Sequence, residues 1–250
     1  MKTIAISGKG GTGKSTIAAL VVRWLSENRS GSILAVDADS NVNLNDILGV
    51  KIKDSVGAIR EEMKKSVNNL PAGMTKQQFL EYKIQTSLVE THSFDLIAMG
   101  RPEGPGCYCY ANNLLRDILK TLGENYAYVV IDNEAGMEHL SRRTTQAIDY
   151  LLSVSDASPR GIQTTARISK LLEELDTRVR ARFLIVNRAP EKLTETVRSA
   201  IEQEKLNLLG VIPEDTSLLQ MDRDGTPVYN LSVKFSAYKA IDQIMHKLEL

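Results

Sequence analysis

Eight residues near the start of the chain have the types and spacing of a phosphate cradle. Gly8-Lys9-Gly10-Gly11-Thr12-Gly13-Lys14-Ser15 fits the pattern G-x-x-x-x-G-K-[ST]. Glycines let the backbone wrap a phosphate chain with its N–H groups, and the N-terminus of a following helix adds positive potential. Lys14 would neutralise β- and γ-phosphates, the Ser15 hydroxyl would ligate Mg²⁺, and Thr16 closes the nucleotide-contacting stretch. A ligand-free glycine turn is the bland alternative. The context speaks against it: a strand candidate, Thr3–Ser7, precedes the loop, and an apolar helix candidate follows.

Two acidic segments could supply the metal and water chemistry that a triphosphate needs. Val36-Asp37-Ala38-Asp39 and Val130-Ile131-Asp132-Asn133-Glu134-Ala135-Gly136 each end an apolar run. Carboxylates at the carboxyl ends of strands face the crevice where doubly wound sheets bind ligands. The alternative is that these aspartates only cap turns. A third cluster is sulfur. The chain's two cysteines, Cys107 and Cys109, lie two positions apart after a stiff Gly/Pro run, Gly100-Arg101-Pro102-Glu103-Gly104-Pro105-Gly106. A helix candidate begins just after them, and a helix N-terminus favours the thiolate, the form that binds metal. Two thiolates are too few for a closed four-coordinate site, but a symmetric dimer would present four. Such a set suits Zn²⁺ or Ni²⁺. Buried structural cysteines and a strained redox-active disulfide are the alternatives.

The elements that must hold these groups alternate along the chain. Strand candidates are Thr3–Ser7, Ser32–Asp37, Phe94–Met99, Tyr126–Asp132, Tyr150–Ser155, Ala181–Asn187 and Leu208–Ile212. Helix candidates are Lys14–Asn28, Ser55–Lys65, Asn112–Leu122, Pro159–Leu175, Glu191–Glu204 and Phe235–Leu248. Several strands are almost continuously apolar, as expected when helices cover both faces. The expectation is an α/β fold: a doubly wound, mainly parallel sheet of about seven or eight strands. We expect a single domain spanning 1–250, with a polar helical insertion at about 51–92. With 31 basic and 31 acidic residues the net charge is zero, so no global cationic field draws the chain to nucleic acid. No apolar run is long enough to span a bilayer, and no signal peptide opens the chain. The expected location is cytoplasmic, with no membrane or nucleic-acid partner.

Lys9 narrows the class. K-G-G-x-G-K-[ST] resembles the deviant Walker A motif of the MinD/ParA/nitrogenase-iron-protein (SIMIBI-type) P-loop ATPases, and the resemblance covers nearly the whole chain. It implies that Lys9 reaches across a two-fold axis to the other subunit's nucleotide, so a homodimer closes around ATP and Mg²⁺, hydrolysing ATP to ADP. The segment holding Asp37 and Asp39 resembles switch I, Asp37 holding a Mg²⁺-bound water and Asp39 orienting the attacking water. The segment from Val130 resembles Walker B running into switch II, with Asp132 in the outer shell of the Mg²⁺. Lys9, Lys14, Asp39 and Asp132 are thus the expected catalytic set. The same resemblance places adenine recognition at Asn187 and at Pro213-Glu214-Asp215.

Gly100–Asn113 together with Asp132-Asn133-Glu134-Ala135-Gly136-Met137-Glu138-His139-Leu140-Ser141-Arg142-Arg143 resembles the CooC-type nickel-insertion ATPases of carbon monoxide dehydrogenase maturation. That likeness implies Cys107 and Cys109 as ligands of one Ni²⁺ or Zn²⁺ shared across the dimer. The client would be carbon monoxide dehydrogenase or acetyl-CoA synthase. His139 is read as a structural or switch residue, and His92 and His246 carry no signal. The main rival is a MinD/ParA-type positioning or partitioning ATPase. An iron protein with a bridging iron–sulfur cluster is a second, though its cysteines sit on separate loops.

Overall fold

A computed structural model describes residues 1–65, 71, 73–100, 122–134, 148–174 and 178–250 of the chain. Eight strands form one sheet: β1 (Lys2–Gly8), β2 (Ile33–Asp37), β3 (Val89–Glu90), β4 (Asp95–Ala98), β5 (Tyr128–Asp132), β6 (Ile148–Asp156), β7 (Val179–Ala189) and β8 (Leu208–Pro213). Their order is β3-β4-β2-β5-β1-β6-β7-β8, and every pairing is parallel except β3 with β4. The sheet is thus the expected doubly wound, mainly parallel one.

The described helices are α1 (Lys14–Asn28), α2 (Leu44–Leu48), α3 (Val56–Lys65), α4 (Lys76–Ser87), α5 (Pro159–Glu174), α6 (Glu195–Gln203), α7 (Thr216–Asp224) and α8 (Ser236–His246). Alternation along each central strand feeds two apolar layers. Ile4, Ile6 and Val130 point with Trp24 and Leu20 of α1 and Ile241 and Met245 of α8 into one core. Ala5, Val129 and Ile131 point into the other, with Val56 of α3 and Ile84 of α4. Burial on both faces is why β2 and β5 read as unbroken apolar runs.

This order sets the site. From β1 the chain crosses to β2, returns at β5, and continues on the far side of β1 through β6. The direction of winding therefore reverses at β1, and a crevice opens beyond its carboxyl end. Gly8 stands there. Of the other expectations, the Asn112–Leu122 helix falls almost wholly outside the described residues, as do Cys107, Cys109 and His139.

Candidate functional site

Helix α1 starts without a side-chain cap. Its N-cap is Gly13, in the left-handed region at φ 88°, and no acidic residue lies in the first turn. The first-turn N–H groups thus carry the helix's positive end without a side-chain cap or a first-turn carboxylate. Gly8 is equally constrained: its φ is 145°, and a Cβ there would lie 2.2 Å from the Val154 carbonyl oxygen of β6. Side chains hold the loop between them. The Thr12 hydroxyl donates to the Lys9 carbonyl at 2.8 Å. Lys14, 8% exposed, donates to that same carbonyl at 3.5 Å.

Asp132 ends β5 beside β1, in register with Ile6. It is 1% exposed, and neither carboxylate oxygen has a hydrogen-bond partner among the described residues. Burial pushes its pKa up to about 7; the nearby Ser15 hydroxyl and Lys14 ammonium pull it down, while Asp37 and Asp39 raise it. A buried carboxylate left without donors is costly unless something polar or cationic meets it. With the Ser15 hydroxyl it makes a hard, all-oxygen donor set of the kind Mg²⁺ takes.

Asp37 is built differently. Although fully buried, its Oδ1 accepts the Asp39 N–H at 3.1 Å and its Oδ2 accepts those of Asn43 and Leu44 at 2.9 Å. Burial still leaves its pKa raised, against the lowering pull of those three N–H groups. Turn capping, the alternative reading of these acids, is part of what Asp37 does here. It fastens both ends of the 39–43 loop. Asp39 accepts the Asn41 N–H at 2.9 Å within that loop. Ser40 donates to Glu134 at 3.1 Å, tying the loop to the segment after β5.

The structure adds contacts that residue types alone did not reveal. Asn133 clamps the Ile6 carbonyl of β1 twice, through its backbone N–H at 3.1 Å and its Nδ2 at 2.8 Å. Asn187, expected beside the adenine, donates to the Thr12 carbonyl at 2.8 Å. Its Nδ2 would lie 2.5 Å from a Cβ on Gly13, so the two residues fit only because one is glycine. Asp215 caps α7 by accepting the Ser217 N–H at 3.0 Å, and it accepts from the Ser236 hydroxyl and the Ala237 N–H of α8 at 2.7 and 3.1 Å. Pro213 and Glu214 follow at the end of β8, where Glu214 donates its N–H to the Ala189 carbonyl at 3.1 Å. Among the described residues, no group of three or more His, Cys, Asp and Glu side chains is arranged to hold a metal ion.

Residues 3–228 match the CobQ/CobB/MinD/ParA nucleotide binding domain. The chain belongs to this family. An uncharacterized ATP-binding protein of Methanocaldococcus jannaschii is 44% identical, over 98% of this chain and 97% of its own. The carbon monoxide dehydrogenase accessory protein CooC of Rhodospirillum rubrum is 31% identical, over 92% of this chain and 90% of its own. Among solved structures, the MinD cell division protein of Aquifex aeolicus superposes with a TM-score of 0.70 at 25% identity, covering 99% of this chain and 96% of that one. Family membership makes this a nucleotide-binding domain.

Proposed function

We propose that this chain is a Mg²⁺-dependent ATPase that closes as a homodimer around ATP and carries nickel to a nickel enzyme, carbon monoxide dehydrogenase or acetyl-CoA synthase. The observation that carries the ATPase half is Asp132, a buried, unpartnered carboxylate beside Ser15 and Lys14 at the mouth of a glycine cradle. When bound, Mg²⁺ would neutralise charge on the β- and γ-phosphates. The residues here divide the rest of the work. The backbone of Gly8–Gly13, with Lys14, Ser15 and Thr16, binds the phosphates. Ser15 would ligate the cation, with Asp37 and Asp132 on its water shell. Asp39 orients the water that attacks the γ-phosphorus as the bond to the β–γ bridging oxygen breaks, and Lys9 of the partner subunit stabilises the charge that develops. Asn187 and the Pro213–Asp215 segment flank the base.

The nickel half rests on sequence: the Cys107/Cys109 pair, the Asp132–Arg143 segment, and the CooC relative. Nickel is cargo in this reading, held by four thiolates across the two-fold axis, and Zn²⁺ fits the same sulfur set. A positioning or partitioning ATPase is the second reading, favoured by the MinD likeness. It shares the nucleotide cycle but gives the cysteines no task. Equilibrium dialysis of Ni²⁺ against the ATP-bound, ADP-bound and nucleotide-free protein, with Cys107→Ala and Cys109→Ala alongside, separates the two. Carriage of nickel predicts one metal per two chains, affinity that changes with the nucleotide, and loss of the metal in both variants. Equal affinity in all three states, or metal retained without the thiols, contradicts it.

A further inference from the structure

Strand β7 does something at its carboxyl end that a regular strand cannot. Between Val186 and Ala189 the β7–β8 register breaks, and Arg188 adopts φ 51°. That is the left-handed region, where a residue with a Cβ is strained and glycine is at home. The result is that two consecutive side chains, which an extended strand would send to opposite faces, reach the same loop. Asn187 Nδ2 donates to the Thr12 carbonyl at 2.8 Å, and the Arg188 guanidinium donates to the Gly11 carbonyl at 3.3 Å. Because a trans peptide is planar, with C=O and N–H opposed, holding a carbonyl from one side fixes the next N–H on the other. These two contacts therefore set two successive peptide planes, Gly11–Thr12 and Thr12–Gly13. The Thr12 N–H, opposite the Gly11 carbonyl, donates to the Lys9 carbonyl at 3.4 Å, so that peptide plane is held from both sides. Gly11 and Gly13, both at positive φ and without a Cβ, have wide backbone freedom of their own, so outside fixation matters there.

We propose that Arg188 is a positioning residue for the nucleotide loop: its strained backbone exists to place a guanidinium on the Gly11 carbonyl, keeping the cradle shaped for phosphate before any nucleotide arrives. The inference rests on the nucleotide-site reading but not on what the ATP is for. It predicts lower affinity, not altered chemistry, when the side chain is lost, because a loop that must be ordered on binding subtracts that ordering from the binding free energy.

Three variants of the full chain test it: Arg188→Ala, Arg188→Gly and Arg188→Lys. Amide hydrogen exchange of the nucleotide-free protein over residues 9–14 should quicken in the alanine and glycine variants. ATP affinity, measured by calorimetry with Mg²⁺, should fall ~3- to 10-fold, the scale of one hydrogen bond. KM for ATP should rise with kcat within about twofold, since a group that shapes the ground-state site leaves the bound chemistry alone. Arg188→Gly is the deciding variant. Free of strain, it should melt at a higher temperature than Arg188→Ala yet bind ATP just as weakly, whereas a merely structural residue would move stability and affinity together. Arg188→Lys should recover part of the affinity. Wild-type exchange and affinity in all three variants overturns the inference, as does a glycine variant that binds ATP like the wild type. Should the wild-type chain itself fail to bind ATP, the nucleotide reading falls on its own, and the exchange arm still reports whether Arg188 holds the loop.

Discussion

Lys9 and Asp132 are the residues whose behaviour discriminates most sharply. Lys9 is exposed on the loop and accepts the Thr12 and Lys14 contacts at its carbonyl, and among the described residues no contact holds its ammonium. Lys9→Ala should therefore keep nucleotide binding by each subunit while turnover falls at least about a hundredfold, as when a single charge-stabilising group is removed. Phosphate release against calorimetric ATP binding checks it; undiminished turnover would remove Lys9 from the chemistry. Asp132 offers a stability test with a definite sign. Its folded pKa is raised to about 7 by burial. Between the ordinary carboxylate pKa of about 4 and that value, the folded chain holds a proton the unfolded chain has released, so stability falls as pH rises through this window. In EDTA, Asp132→Asn should melt above the wild type at pH 8, by roughly 2–6 °C, with the gap closing towards pH 4. With Mg²⁺ and ATP the order should reverse, because only the carboxylate form gains the cation. A variant that melts lower at every pH would show that the carboxylate is already satisfied by the fold.

At the scale of elements, Asp215 knots two helix starts. Burial pushes its carboxyl up, but donation from Ser236, Ala237, Ser217 and Leu218 outweighs burial and holds its pKa below the usual range. Its contribution is therefore present above pH ~4 and lost as pH falls through the lowered value. Asp215→Ala should cost about 1–3 kcal/mol at pH 7, read as a denaturant midpoint shift, and the cost should shrink in acid. A pH-independent cost would mean that packing, not the charge, matters. The same residue shows where sequence reading stops. In the sequence it falls in the Pro213–Asp215 segment expected at the adenine, with nothing to announce its capping role, and α7 behind it (Thr216–Asp224) escapes notice because its nine residues mix apolar with polar and none is fully buried. Helix α2 is invisible for a related reason. It has five residues, and the carboxylate receiving its first N–H groups, Asp37, sits seven positions upstream of Leu44. Strand β3 is two residues long, too short for any periodicity, and owes its form to β4. By contrast α1, β2 and β5 are legible almost to the residue, because burial on every side imposes an apolar run that no loop shows. Helix α6 begins at Glu195, four residues later than the apolar pattern suggests, since Thr194 caps it by accepting the Val197 N–H.

For the whole molecule, the strand order explains why so much of the site was readable in advance. A sheet whose winding reverses at β1 gathers the ends of β1, β2, β5 and β7 at one edge, so Gly8, Asp37, Asp132 and Asn187 converge although they are far apart in the chain. Their types and order were legible; their division of labour was not. Asn187 and Arg188 face the loop because of a register break that residue types do not announce, and Asp132, unlike Asp37, has received no N–H donors from the fold. Among the described residues, no helix is long and apolar enough to cross a membrane. The central claim is that two copies of this chain face each other, each lending a lysine to its neighbour's triphosphate and two thiolates to a shared metal. Native mass spectrometry with Mg²⁺, a slowly hydrolysed ATP analogue and Ni²⁺ tests it most directly. The account predicts a species of two chains, two nucleotides and one nickel, reduced to single chains by Lys9→Ala and stripped of its nickel by Cys107→Ala. A wild-type chain that takes up nucleotide and nickel yet flies only as a single subunit would contradict it.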